Sequence, residues 1–138
     1  MVAFKGSKRR LLLVEDNPGD VDLILDALRD EPCEVTVARD GVEAMSMLSV
    51  SRPNLVVLDL NLPRKDGREV LREMKADALL RHIPVVVLSS SEAERDLVQA
   101  YSLHANCFLT KPVDLEEFLA VIASMAEFWL HRAQLVAS

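Results

Sequence analysis

The sequence predicts an α/β domain, an open, doubly wound sheet of five parallel strands with helices on both faces. Three observations carry that prediction. Short apolar runs alternate five times with segments of helical period. Three of the runs are rich in Leu and Val, as suits strands covered on both sides. The first, third, fourth and fifth runs lead to Glu15-Asp16, Asp59, Ser89 and Lys111, which would deliver polar groups to one rim of the sheet.

The elements follow in order. Leu11–Val14 reads as the first strand and stops at Glu15-Asp16. Pro18 suits a first helical turn, and the helix is predicted to run to Asp30. Val35–Ala38 is the second strand, Asp40-Gly41 a turn signal, and Val42–Leu48 the second helix. Leu55–Leu58 runs unbroken into Asp59; Asp66-Gly67 marks the next turn, and Arg68–Lys75 a helix. Val85–Leu88 precedes Ser89, and Glu92–Leu103 is the fourth helix. A short strand, Cys107–Leu109, leads to Lys111-Pro112. Asp114 stands at the N-cap of a last helix, Leu115–Leu130. Its Leu115, Phe118, Leu119, Ile122, Met125 and Trp129 form one apolar stripe, read as the core face. Right-handed crossovers restrict the topology, and ligands of such sheets bind beyond the carboxyl ends of the strands.

The 138 residues suit one domain, expected over residues 8–130, with an extension at 1–7 and a tail at 131–138, both loosely held. A chain this long buries roughly 70% of its unfolded surface. The net charge of −6 speaks against nonspecific binding to nucleic acid. No apolar run approaches the ~20 residues of a membrane span, and Leu11–Val14 is too short for a signal peptide, so no membrane association and a cytoplasmic location are expected. With only a few residues after Leu130, no output domain is expected. Cys33 and Cys107 fit no spaced framework, and His82, His104 and His131 share no metal spacing.

The rim carries the chemistry. Alone, an acidic pair after a strand is usually a turn or helix cap, a Ser usually a helix start, and Lys-Pro usually a loop. Here Glu15, Asp16, Asp59, Ser89 and Lys111 all fall at the same end of successive strands, with the main groups roughly 40 to 50 residues apart, the spacing of βαβαβ units. Three carboxylates together repel one another, and a hard divalent cation resolves the conflict. A lysine and a hydroxyl beside them suit phosphoryl oxygens. Aspartate is a nucleophile able to form an acyl phosphate, so the set points to phosphoryl transfer by positioning and charge neutralisation.

The pieces "LLLVEDNPGD", "VVLDLNLPRKDG", "VVVLSSS" and "CFLTKP" resemble the receiver domain of two-component response regulators over about residues 10–130. The resemblance implies the flavodoxin-like strand order 2-1-3-4-5. It implies that Asp59 is the phosphoacceptor. Glu15, Asp16, Asp59 and the backbone carbonyl of Asn61 would hold Mg²⁺, with Mn²⁺ or Ca²⁺ as substitutes. Lys111 would contact the phosphoryl oxygens, and Ser89 would be the switch hydroxyl, with the small Ser90 beside it. Phe108 stands where the family carries a switch aromatic, often Tyr, and lacks that residue's hydroxyl. Asn61 and Ser91 would flank the approach of the hydrolytic water, and the Lys111-Pro112 bond would be cis.

"VEDNPGDVDLI", "HIPVVVLSSS", "NCFLTKPVDLEEF" and the ending "FWL" are most similar to stand-alone receivers that partner bacterial phytochrome histidine kinases. This implies a histidine kinase, a bacteriophytochrome, as partner. It also implies a homodimer through the fourth helix, fifth strand and fifth helix. Val121, Phe128 and Trp129 are the candidate interface residues. On this reading the chain is a signalling domain, an enzyme only in assisting its own phosphorylation and dephosphorylation. Two alternatives stay open. One is a degenerate receiver that binds proteins without taking phosphate. The other is an aspartate-nucleophile phosphatase, which needs an Asp two positions after the nucleophile, where this chain has Asn61.

Overall fold

The computed structural model describes residues 8–137; the expected 1–7 extension lies outside them. The elements are β1 (Arg9–Val14), α1 (Pro18–Ala27), β2 (Cys33–Ala38), α2 (Gly41–Val50), β3 (Leu55–Leu58), α3 (Gly67–Ala76), β4 (Val85–Ser89), α4 (Glu94–Ser102), β5 (Cys107–Thr110) and α5 (Leu115–Ala126). A π-helical segment, Glu127–Arg132, continues α5. The sheet is parallel throughout, in the order β2-β1-β3-β4-β5. That is the order the resemblance implies.

Side-chain alternation divides the interior in two. Leu12, Val14, Val56, Leu58, Val85 and Val87 face one core, completed by residues of α2 and α3. Leu11, Leu13, Leu55, Val57, Val86 and Leu88 face the other, completed by residues of α1 and α5. β3 and β4 are wholly buried, whereas the edge strands β2 and β5 alternate or lie half-exposed, because each has a neighbour on one side only.

α1 ends three residues short of the predicted Asp30. Pro32 lies just ahead, and a residue before proline avoids the helical region. The two Asp-Gly pairs are more than turn signals. Asp40 and Asp66 cap α2 and α3, accepting from the backbone N–H of Glu43 and Arg68. Asp114 caps α5 in the same way, accepting from Glu117. The glycines after the first two caps allow close backbone approach. A Cβ on Gly41 would lie 2.0 Å from Lys65 O, and one on Gly67 would lie 2.2 Å from Asp59 O.

Two further expectations need correction. Leu115 is 52% exposed and not part of the core stripe; Phe118, Ile122, Met125 and Ala126 form it. The tail is docked rather than loose. Leu130 and Leu135 are buried in the α1/α5 core, His131 Nε2 lies 2.7 Å from Glu31 Oε1, and Asn54 Nδ2 donates to Val136 O at 2.9 Å. The five-residue spacing of Leu130 and Leu135 hid this, since it matches neither a strand nor an α-helical face. No helix among the described residues is long and apolar enough to cross a membrane.

Candidate functional site

Sheet register assembles the site. Val14 pairs with Leu58, so the next residues, Glu15 and Asp59, stand side by side at the carboxyl ends of β1 and β3. Each extends the ladder by one bond: Glu15 N donates to Ala38 O at 2.9 Å, and Asp59 N to Val14 O at 3.0 Å. Ser89 is the fully buried last residue of β4, and Lys111 N donates to Ser89 O at 2.8 Å. The predicted rim therefore exists, and backbone hydrogen bonds set its geometry.

Lys111 is the hub. Its Nζ donates to Glu15 Oε1 at 2.5 Å, Asp20 Oδ2 at 3.0 Å and Asp59 Oδ2 at 3.3 Å. The side chain of Lys111 is 8% exposed, those of Glu15 and Asp59 2% and 9%, and that of Asp20 24%. Asp59 Oδ1 accepts the N–H of Asn61 at 3.1 Å, so both its oxygens are held. Ligand oxygens of Glu15, Asp16 and Asp59 all lie within 4.8 Å of one another. With Asp16 exposed, this is an open, all-oxygen donor set of the kind that suits a hard divalent cation.

Burial pushes the Glu15 carboxyl up to about 7, with Asp59 adding to the rise and Lys111 opposing it. Burial alone would lower the Lys111 ammonium, but Glu15, Asp59 and Asp20 outweigh it, and Lys111 is held well above its usual range. The sign for Glu15 is that of a raised acid: the folded state holds its proton more tightly than the unfolded state. Without a divalent cation, stability should therefore be full below about pH 4.5 and fall as pH rises to about 7. The loss is up to about 3 kcal/mol. Melting curves in a chelator between pH 4.5 and 8 should show that decline. Added divalent cation should flatten it, because a ligating carboxylate must be ionised. A pH-independent melt in chelator would contradict the shift.

The remaining predicted residues divide between the rim and its surroundings. Ser89 Oγ accepts the N–H of Ser91 at 3.3 Å. Ser91 turns its own hydroxyl to Asp96 of α4, at 2.5 Å, and Arg68 Nη2 grips the same carboxylate at 2.9 Å. The Ser91 and Arg68 bonds hold Asp96 below the usual carboxylate range. Phe108 is half-buried against the α2/α3 core, and its N–H donates to Tyr101 Oη of α4 at 3.1 Å. The Lys111-Pro112 bond is trans, not cis. Trans is the intrinsically favoured isomer by about 0.5–1 kcal/mol, and Lys111 reaches all three carboxylates with it.

Val121 and Trp129 are half-buried and Phe128 is 54% exposed. The Phe128 and Trp129 rings meet edge to face, with centroids 5.1 Å apart. With Cys107, Leu109 and Met125 these residues line an apolar groove on the β5–α5 face. Sequence reasoning missed Asp20, although its place four residues after Asp16, in the first turn of the helix beside the rim, was a usable signal. Tyr101 and the Arg68–Asp96–Ser91 chain were also missed.

Comparison with known proteins agrees with this geometry. Residues 11–123 match the model of the response regulator receiver domain. Response regulator Rcp1 of Synechocystis is 42% identical over 137 residues, covering 93% of each chain. The structure of its Mn²⁺-bound form has a TM-score of 0.90 and covers 94% of this chain and 99% of that one. The phosphorylated cyanobacterial phytochrome response regulator RcpA superposes at a TM-score of 0.92 with 46% identity, over 95% of this chain and all of that one. The bacteriophytochrome response regulator AtBRR gives 0.71 with 45% identity, over 93% and 99%.

Proposed function

The chain belongs to the response regulator receiver family, and from that premise we propose that Asp59 accepts a phosphoryl group from a histidine kinase and that the resulting acyl phosphate switches the domain. The observation that carries this reading is the buried Lys111 ammonium joined to Asp59 and Glu15 at a rim where three carboxylates converge. The likeness to RcpA and AtBRR supports a bacteriophytochrome as the kinase, and with it a cytoplasmic site of action.

In the proposed step an oxygen of Asp59 forms a bond to phosphorus as the P–N bond to the kinase histidine breaks. The electron pair of that bond returns to the imidazole. Glu15, Asp16, Asp59 and the carbonyl of Asn61 would hold Mg²⁺, which when bound neutralises charge on the phosphoryl oxygens. Asn61 N–H and Lys111 keep the carboxylate of Asp59 in one orientation before attack. Lys111 then turns from carboxylate to phosphoryl oxygen, and Ser89 Oγ offers its hydroxyl. That motion draws on Ser91, and through Asp96 and Arg68 on α4. Phe108 follows by packing, coupled to α4 through Tyr101. Asn61 and Ser91 tune hydrolysis of the acyl phosphate, so catalysis by the chain is confined to its own phosphoryl group.

Intact-protein mass after incubation with acetyl phosphate and Mg²⁺ tests the reading. A single phosphoryl adduct is expected, absent from Asp59→Asn and without metal. An unmodified wild type that is folded and still binds the cation would instead favour an interaction module.

The same reading includes a homodimer through α4, β5 and α5, with Val121, Phe128 and Trp129 in the interface. The exposed Phe128 beside an apolar groove supports it. Sedimentation at micromolar protein should give a dimer for wild type and a monomer for Phe128→Glu, with little change in melting temperature. A wild-type monomer with and without phosphorylation would remove the interface.

A further inference from the structure

The geometry points to Asp20 as a positioning residue that keeps the acidic cluster open to a divalent cation by holding the Lys111 ammonium. The inference rests on the proposed cation at Glu15, Asp16 and Asp59. It concerns a different residue and acts through Lys111.

Lys111 Nζ has three protons and three carboxylate partners. Two of those partners, Glu15 and Asp59, belong to the cluster whose oxygens converge within 4.8 Å. Asp20 does not. It sits in the first turn of α1, on the more open side of Lys111, with a side chain 24% exposed against 2% and 9% for the other two. A cation entering the cluster would therefore draw on the same two carboxylates that Lys111 holds. An ammonium 8% exposed that lost both partners would be a buried, unpaired charge, which is costly. Asp20 Oδ2, at 3.0 Å, keeps it paired.

Local structure fixes that carboxylate. Asn17 caps α1 by accepting the Asp20 N–H at 3.0 Å, and its own N–H donates to Glu15 Oε2 at 3.2 Å. One residue thus aligns the helix start with the end of β1, which places Glu15 and Asp20 on the same lysine. An acidic side chain in a first helical turn is also favoured by the helix dipole. When Asp59 becomes an acyl phosphate its carboxylate charge is lost, and Asp20 remains as a carboxylate partner that the chemistry leaves unchanged.

Calorimetric titration with Mg²⁺ and with Mn²⁺, without any phosphate, tests this on the whole chain. Asp20→Asn should weaken cation affinity by roughly tenfold, the scale of one charged hydrogen bond. Without its outer partner the ammonium competes harder for Glu15 and Asp59. In a Lys111→Met background the same Asp20→Asn change should cost about threefold or less, the residual effect of one partly screened charge. Lys111→Gln, which keeps a donor to both carboxylates, serves if Lys111→Met does not fold. Equal losses in both backgrounds would overturn the inference, since Asp20 would then act on the cation directly. An unchanged affinity in Asp20→Asn alone would overturn it too, while leaving the cation site standing. A wild type that binds neither ion would remove the cation reading and this inference together.

Discussion

Replacing Lys111 with Met should reduce the rate of phosphoryl uptake from acetyl phosphate by about two to three orders of magnitude, the loss that follows removal of one aimed charge-stabilising donor. The divalent cation should still bind, and more tightly than in wild type, because Lys111 is the group that holds Glu15 Oε1 and Asp59 Oδ2 in its absence. Loss of labelling with retained cation binding separates a defect in phosphoryl stabilisation from a defect in the metal site. The cation-free variant should also be less stable near neutral pH, by about 3 kcal/mol, since the change leaves buried carboxylates without their counter-charge. Lowering the pH should restore part of that, as Glu15, raised to about 7, takes up its proton. Labelling time courses by intact mass and urea melts at pH 5 and 7.5 read both effects. Wild-type labelling in Lys111→Met would remove the lysine from the chemistry.

Gly67→Ala should have a large effect on stability. Its added Cβ would lie 2.2 Å from Asp59 O, 2.7 Å from Leu60 Cα and 2.9 Å from Leu60 O, all backbone atoms. Nothing there can rotate away, and Gly67 N also donates to Leu60 O at 2.9 Å, which ties the start of α3 to the end of β3. Overpacking a tight site costs roughly 1–3 kcal/mol, and backbone-on-backbone contact puts this site at or beyond the upper end. The strain falls on the peptide that carries Asp59, so a variant that still folds should also label slowly. Gly41→Ala meets Lys65 backbone at 2.0 Å and should act on the other end of the same loop. A melting temperature of Gly67→Ala within a degree or two of wild type would contradict this account.

The legible and illegible parts of the molecule divide along physical lines. Central strands were readable because burial on both faces demands unbroken apolar runs, as in Leu55–Leu58 and Val85–Leu88. The site was readable because parallel strands place their carboxyl ends together, so Glu15, Asp59, Ser89 and Lys111 needed only the strand assignments to converge. Asp20 was readable only as a neighbour of the rim, from its place in the first turn of α1; its contact with Lys111 depends on how α1 is turned about its axis, which strand pattern does not specify. The roles of Gly41 and Gly67 depend on the approach of a distant backbone, and a glycine after an aspartate looks the same with or without it. The trans bond at Lys111-Pro112 departs from what the family resemblance implied. The docked tail escaped because Leu135 lies beyond the π-helical segment, five residues after Leu130 and off any regular period.

Asn54 accepts the Arg10 N–H at 2.7 Å and donates to Val136 O at 2.9 Å. It stands just before β3, level with the start of β1, at the opposite end of the strands from Asp59. One side chain thus gathers the beginning of the first strand and the close of the tail at the floor of the sheet. For protein engineering this separates attachment from chemistry. A fluorescent reporter or surface tether joined after residue 137 would hang about a strand's length, roughly 20 Å, from the acidic rim. A short linker between residues 8 and 137 would be a practical route to circular permutants that leave the rim loops intact.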